Sequence, residues 1–176
     1  MKLLQNVALS IDTNVTAQIV SKGVAKEMDC AFVAGFDEHN AIHKIELFQE
    51  KLVLISAEAT MDSTRLQNMP ILVFKEGCNY RKNLQLWLDN INIKEPKIVE
   101  FGTLETIIGS VKSGLGISLV PKSTVANAIE QEELYCYELP EVYSHISTDF
   151  IWHKQAAPST KVSNFKDIVE QYINNF

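Results

Sequence analysis

Phe101–Pro121 reads FGTLETIIGSVKSGLGISLVP, and this stretch decides the fold of the 176-residue chain. Apolar residues recur at helical spacing from Leu104 to Val111, and Thr103 in front of them is a residue type that caps helix N-termini. Gly114 ends the helix, because glycine adopts the left-handed backbone of a helix stop without strain. The apolar run that follows predicts a strand that stops at Pro121. A helix leading through a tight turn into a strand indicates an α/β protein.

Apolar runs along the rest of the chain predict the same class. Val7–Ile11 is a predicted strand, a helical pattern follows from Val15 to Val24, and Cys30–Ala34 is a second predicted strand. Strand, helix and strand within about 30 residues predict a βαβ unit with parallel strands. Further strands are predicted over residues 52–55, 71–74, 97–101, 134–139 and 148–152, and further helices over 80–90, 122–128 and 163–172.

Charge and composition exclude several classes of protein. The net charge is −6, with nine basic against ten acidic residues in 1–88 and seven against twelve in 89–176. Neither half offers the basic stripe that binding to a phosphate backbone needs. The three widely spaced cysteines favour a reducing compartment over a disulfide scaffold. No signal peptide and no apolar run of about 20 residues is present, so a cytoplasmic protein without a membrane span is expected.

Motifs of catalysis, cofactor binding or metal binding are missing from the sequence. His39 and His43 stand four residues apart without a third ligand, so solvated loop histidines are favoured over a metal site. Cys78 precedes a predicted helix, where the helix dipole would lower the pKa of its thiol and make it reactive. The alternative, a small residue near a pocket or the core, is favoured. We therefore expect no cofactor, no metal and no enzymatic activity.

Helix N-termini directly after strands are the features that suit a ligand. Asn14, Cys78-Asn79 and Gly102-Thr103 each stand at such a position, where backbone N–H groups lack partners within the helix. In open α/β sheets these turns face the crevice where ligands bind. Ordinary helix capping explains Asn14 and Thr103 without any ligand, and the two interpretations stay open.

Phe101–Pro121 closely resembles the signature V-x-x-G-x-G-I-x-x-x-P of the effector-binding domain of LysR-type transcriptional regulators. Val24–Val33 is similar to the family stretch that places an aspartate before a buried strand. Gly77-Cys78-Asn79-Tyr80-Arg81 resembles the G-C-x-Y-R turn of one branch of these regulators. Phe150–Lys154 fits a late strand of the family, so the resemblance spans nearly the whole chain.

The resemblance implies a two-lobed, periplasmic-binding-protein-like (type 2) fold with parallel and mixed sheets and an interlobe cleft. Residues 1–55 and 146–176 would form lobe one, and residues 56–145 lobe two. A small-molecule effector would bind in the cleft, and backbone N–H donors suit an anion. Arg81 would add a charge-assisted bond if its side chain turns inward, although a solvated arginine is the commoner case. The effector contacts carried over are Gly35, Phe36, Cys78, Asn79, Tyr80, Arg81 and Thr103.

The sequence also departs from the family pattern. It contains neither the helix-turn-helix and linker helix nor the first βα pair of the effector domain. We therefore expect a cloned fragment, a truncated product or a misplaced start codon, whose lobe one exposes a strand edge or borrows a strand from a partner. By resemblance the domain forms homodimers, and tetramers when full length, and DNA is bound only through the missing N-terminal domain.

Two other functions were weighed against a ligand-sensing regulatory domain. A free-standing solute-binding protein of the same fold is opposed by the missing signal peptide and by the cysteine usage. An enzyme, such as a small transferase, is opposed by the lack of a nucleophile–base pair or a cofactor loop. A regulatory domain that binds a small, anionic metabolite is the prediction that remains.

Overall fold

The computed structural model of the protein describes residues 8–155 and 160–173. The chain divides into two compact units: unit 1 is Met1–Phe48 with Thr148–Phe176, and unit 2 is Gln49–Ser147. Both boundaries fall inside strands, so two strands run from one unit into the other. The lobe boundaries implied by the family resemblance stay a prediction.

Apart from two successive strands near its start, the described chain alternates between helices and strands, which confirms the α/β class. Most predicted elements are present. Residues 42–51 of the second strand and two short helices, over 63–68 and 141–144, were not predicted. In chain order the elements are α1 Thr16–Val24, β1 Cys30–Ala34, β2 Ile42–Ser56, α2 Ser63–Asn68, β3 Ile71–Phe74, α3 Asn79–Asn90, β4 Ile98–Phe101, α4 Leu104–Lys112, β5 Ser118–Pro121, α5 Lys122–Glu130, β6 Tyr135–Tyr137, α6 Glu141–Ser144, β7 His145–His153 and α7 Thr160–Ile173.

Unit 1 is built on an antiparallel strand pair. β1 pairs with β7 in a register that places Phe32 opposite Phe150. These two rings lie 5.4 Å apart, and Phe165 of α7 packs 5.9 Å from Phe150. Because side chains alternate along a strand, the neighbouring residues form a separate apolar cluster on the other face. That cluster contains Ile19, Val33, Phe36, Ile42 and Ile151.

The prediction that Val7–Ile11 forms a strand parallel to Cys30–Ala34 was wrong. Residues 8–15 have no regular structure, and Val7 lies outside the described residues. Leu9 and Ile11 are 65% and 78% exposed. Within the described part of the chain β1 pairs only with β7, so residues 8–11 have no neighbouring strand. Alternating apolar residues form a strand only where a sheet accepts their backbone hydrogen bonds.

Unit 2 contains a mixed sheet with helices packed on it. β2 pairs antiparallel with β5 and with β6, whereas β3 and β4 pair parallel. A parallel bridge between Ile71 and Ile117 joins β3 to the residues just before β5. α4 and α5 enclose one apolar core with the strands, containing Val53, Ile55, Leu72, Ile107, Val111, Val120, Val125, Ala128 and Leu134.

Gly116 lies where two backbone segments meet in this sheet. The Ile117 N–H donates to the Pro70 carbonyl at 3.0 Å, and the Leu72 N–H donates to the Ile117 carbonyl at 2.8 Å. A Cβ on Gly116 would stand 2.1 Å from the Pro70 carbonyl oxygen, well inside van der Waals contact. Gly114 has φ +79°, which is the left-handed backbone that ends α4. Both glycines of the signature are therefore required by backbone geometry.

His153 is a buried histidine of unit 1 whose hydrogen bond fixes its protonation state. Its Nδ1 accepts the Gln155 N–H at 3.0 Å, so this nitrogen carries no proton. The side chain is buried. Burial, and then the positive charge of Lys26 and the nearby His39, lower the pKa of His153 below its ordinary value of 6.5.

This lowered pKa predicts a loss of stability in mild acid. The unfolded chain binds the proton at a higher pH than the folded chain, so stability is fully present above pH 6.5 and declines as the pH falls toward the folded pKa. We expect urea midpoints measured from pH 8 to pH 5 to fall less steeply in His153→Gln, which keeps an acceptor but does not titrate. Parallel curves for the two proteins would contradict the prediction.

Candidate ligand-binding site

Two glycine-containing turns lie at the same edge of the unit 2 sheet. β3 and β4 are adjacent and parallel, with Phe74 opposite Phe101, so their carboxyl ends meet at one edge. The turn at Gly77 leads from β3 into α3, and the turn at Gly102 leads from β4 into α4. The structure therefore brings the predicted residues of the two turns, Cys78, Asn79, Tyr80, Arg81 and Thr103, to one edge.

Cys78 is the N-cap residue of α3, and its thiol is not an activated one. Its backbone is extended, and its side chain makes no capping hydrogen bond. Burial raises the pKa of the Cys78 thiol, and this outweighs the opposing effects of the backbone N–H groups of Arg81 and Tyr80 and of the Arg81 charge. The protonated thiol is thus favoured, in line with a small residue beside a pocket or core rather than a nucleophile.

Tyr80 contributes a neutral phenol to this edge. Its ring meets the ring of Phe74 edge-on, with centroids 6.3 Å apart. Burial, followed by the negative charge of Glu50, raises the pKa of Tyr80 far above its ordinary value of 10.0. The hydroxyl group therefore keeps its proton and is a hydrogen-bond donor at every physiological pH.

The Arg81 side chain turns toward the protein and is 13% exposed. Its Nη1 donates to the Phe74 carbonyl at 3.2 Å and to Glu100 Oε1 at 2.5 Å. Glu100 itself is 52% exposed. The arginine thus links the first turn of α3 to β4 and is not a solvated side chain, while its bond to an effector stays a prediction.

Thr103 is the N-cap of α4, as predicted. Its hydroxyl oxygen accepts the Thr106 N–H at 3.3 Å and lies 2.9 Å from the Thr106 hydroxyl. At the preceding Gly102, an added Cβ would meet no other atom within 4 Å. The backbone of this turn is therefore open on the side that a side chain would cover.

The predicted contacts of unit 1, Gly35 and Phe36, lie on the turn after β1. Gly35 has φ +65°, a left-handed conformation suited to glycine. The Phe36 N–H donates to Asp149 Oδ2 at 3.3 Å, and the Phe36 ring is buried in the apolar cluster of its unit. The Phe36 N–H is therefore already hydrogen-bonded to a carboxylate of the protein.

Sequence reasoning missed Asp149 and Glu100. Asp149 is fully buried, although it lies in the apolar run of β7. An acidic residue inside a predicted buried strand is a signal that points to a hydrogen-bonded carboxylate. Glu100 lies in the short strand β4 and carries no such signal, because an edge residue of alternating polarity is normal there.

No group of three or more histidine, cysteine or acidic side chains with metal-binding geometry occurs among residues 8–155 and 160–173. Nor is any helix of that part of the chain long and apolar enough to span a bilayer. His39 and His43 do different things: His39 Nδ1 accepts the Ala41 N–H at 3.1 Å, whereas the His43 ring lies 5.3 Å from that of Trp152.

Comparison with known proteins identifies the family. A family model described as the LysR substrate binding domain matches residues 1–174. The chain belongs to the LysR family of transcriptional regulators. It is 39% identical over 170 residues to the HTH-type transcriptional regulator CzcR of Bacillus subtilis (strain 168), which covers 96% of this chain and 59% of the relative. It is also 39% identical over 169 residues to the HTH-type transcriptional regulator SoxR of Arthrobacter sp. (strain TE1826), covering 96% and 58%.

Solved structures of LysR regulatory domains share the fold. The regulatory domain of CcmR from Synechocystis PCC6803, solved with 2-PG, aligns with TM-score 0.77 at 18% identity, over 95% of this chain and 84% of that one. The regulatory domain of HypT from Salmonella typhimurium aligns with TM-score 0.76 at 14% identity, over 99% and 87%. The effector binding domain of QuiR in complex with shikimate aligns with TM-score 0.72 at 19% identity, over 92% and 79%.

These likenesses confirm the periplasmic-binding-protein-like, type 2 fold expected from the Phe101–Pro121 signature. The chain spans somewhat under three fifths of the length of these two curated relatives. The matched residues, 1–174, correspond to the substrate-binding domain of the family.

Proposed function

We propose that this LysR-family domain senses a small organic anion at the edge of unit 2 where β3 and β4 end. The Gly102 turn leaves open space beside the first turn of α4, Tyr80 supplies a hydroxyl donor, and Arg81 supplies a positive charge. Asn79 and Cys78 shape the first turn of α3 beside them. The domain is a sensor and not an enzyme, since this edge offers donors and a charge but no activated nucleophile.

The convergence of two helix N-termini is the observation that carries the proposal. β3 and β4 run parallel in neighbouring positions, so α3 and α4 both begin at the same edge. Partial positive charge from the first turns of both helices favours an anion there. A single helix start would be explained by capping alone, whereas two adjacent starts with an open glycine at one of them favour a ligand.

Regulation follows from the family. Ligand binding would shift the population of domain conformations and so change how a homodimer, or a tetramer of the longer protein, presents DNA-binding domains in the cytoplasm. Contacts of Gly35 and Phe36 with the effector stay a prediction. A free-standing solute-binding protein is the less favoured alternative, because the curated relatives are transcriptional regulators.

A thermal-shift screen tests the ligand class. We expect at least one organic acid, in a panel that includes shikimate, to raise Tm, because a ligand that binds only the folded state stabilises it by mass action. At a concentration of one hundred times Kd this amounts to about 2.7 kcal/mol, or roughly 5–10 °C for a domain of this size. Neutral amides of the same acids serve as the comparison, and amides or amines that stabilise while acids do not would contradict an anion site.

Gly102→Leu locates the response on the proposed edge. The new side chain projects into open space, so the unliganded Tm is expected to stay close to that of the parent protein while the acid-induced shift disappears. Gly109→Ala is the matched control, because it also adds a side chain in open space but lies within α4, away from the turn. An undiminished shift in Gly102→Leu would place the ligand elsewhere.

A further inference from the structure

Arg81 holds a largely buried positive charge that is only partly hydrogen-bonded. Both of its bonds, to the Phe74 carbonyl and to Glu100, are made by Nη1. Its Nε is buried and has no hydrogen-bond partner among the described residues. A guanidinium pairs best with a carboxylate through two parallel N–H donors, and the single bond to Glu100 leaves that capacity unused.

Glu100 differs from Arg81 in its contact with water. Its side chain is 52% exposed against 13% for the arginine, so the carboxylate is hydrated while the guanidinium is not. A desolvated cation is stable only with a counter-charge, and Glu100 supplies it. Any second anion that approaches Arg81 therefore meets a positive charge that Glu100 already offsets in part.

We propose that Glu100 is a specificity-determining residue that lowers the affinity of Arg81 for ligand carboxylates by acting as its internal counter-ion. A ligand carboxylate that pairs with Arg81 would share the guanidinium with Glu100, so only ligands with further contacts at the edge bind tightly. This inference rests on the proposed function for the location of the ligand, and it assigns a role to a residue that makes no ligand contact of its own.

Acetate is the probe, because it carries the carboxylate and nothing else. The Arg81 Nε–H resonance, assigned with Arg81→Lys, is followed by NMR during acetate titrations at constant ionic strength. In Glu100→Gln the apparent Kd for acetate is expected to fall about tenfold, the effect that one adjacent charge has on a neighbouring equilibrium. Circular dichroism checks that each variant is folded. Glu100→Asp keeps the charge on a shorter side chain, and we expect its apparent Kd for acetate to lie between those of the parent protein and Glu100→Gln.

Glu58→Gln is the matched control for net charge. Glu58 pairs with Arg65 in the same unit, but both side chains are 45% exposed, so removing this carboxylate leaves a hydrated guanidinium. We expect the acetate response of the Arg81 Nε–H in this variant to equal that of the parent protein. A response that grows equally in both variants would reflect net charge and would overturn the role of Glu100.

The outcomes separate this inference from the proposed function. An unchanged or weaker acetate response in Glu100→Gln, or an Nε–H resonance that moves in none of the proteins, overturns the role of Glu100. If organic acids still stabilise the parent protein through the Gly102 turn, the proposed function stands without a role for Glu100. If Glu100→Gln gains acetate affinity while no organic acid stabilises the parent protein, Glu100 does lower the carboxylate affinity of Arg81, and it is the proposed function that fails.

Discussion

Gly116→Ala is expected to unfold unit 2 or to cost about 3–5 kcal/mol of its stability, because the new methyl group has no space. The Cβ would stand 2.1 Å from the Pro70 carbonyl oxygen and 3.1 Å from the Leu72 side chain. The neighbouring atom is backbone and accepts the Ile117 N–H, so it moves only if β3 separates from the residues before β5. Urea unfolding followed by circular dichroism measures the loss.

Gly109→Ala is the control for this prediction. It adds the same methyl group three residues before the last residue of α4, where no atom beyond the helix's own backbone lies within 4 Å, and it replaces a glycine inside the helix. We expect a gain of roughly 0.5–1 kcal/mol, since alanine is the better helix former. A Gly116→Ala protein that unfolds at the urea midpoint of the parent would show that the close approach does not constrain the sheet.

The signature stretch was readable from the sequence because its residues act locally. Thr103 caps the helix beside it, Gly114 ends that helix, and Pro121 closes the strand. The close approach of Gly116 to Pro70 is different, because it joins segments 46 positions apart in sequence. Sequence reasoning placed the glycine correctly but could not say which backbone it meets.

The failures of sequence reasoning concern pairing between distant strands. The alternation of apolar residues in Val7–Ile11 is compatible with a strand, but nothing local says whether a neighbouring strand exists. The long strand β2 was predicted only at residues 52–55, because charged and polar residues interrupt its earlier part and only its last residues form an apolar run. Antiparallel pairing of β1 with β7 links residues that are more than a hundred positions apart.

The candidate site was predictable in part, because some of its signals are local in the sequence. Gly-containing turns before helices are local signals, so Cys78–Arg81 and Thr103 were found, and the parallel pairing of β3 with β4 brings them to one edge. The charges around them were not predictable. Arg81 meets Glu100 across 19 residues, and Phe36 meets Asp149 across 113, and both contacts depend on strand order.

Asp149 is fully buried and accepts a hydrogen bond from the turn that follows β1 in unit 1. It stands between Thr148 and the fully buried Phe150 on β7, and its Oδ2 accepts the Phe36 N–H. A hydrogen bond to a charged group inside a protein contributes more than one between neutral groups, and losing the acceptor leaves a buried N–H without a partner. The carboxylate thus connects β7 to the turn that follows β1.

Asp149→Ala is therefore expected to destabilise unit 1 by about 2–3 kcal/mol and to loosen the Gly35–Phe36 turn. Asp149→Asn keeps an oxygen acceptor of the same reach, so it is expected to lose less than half as much. Urea unfolding gives the stabilities, and hydrogen exchange at the Phe36 amide reports the turn directly, with faster exchange expected in Asp149→Ala. If the Phe36 amide exchanges equally slowly in both variants and the parent protein, the carboxylate does not hold the turn.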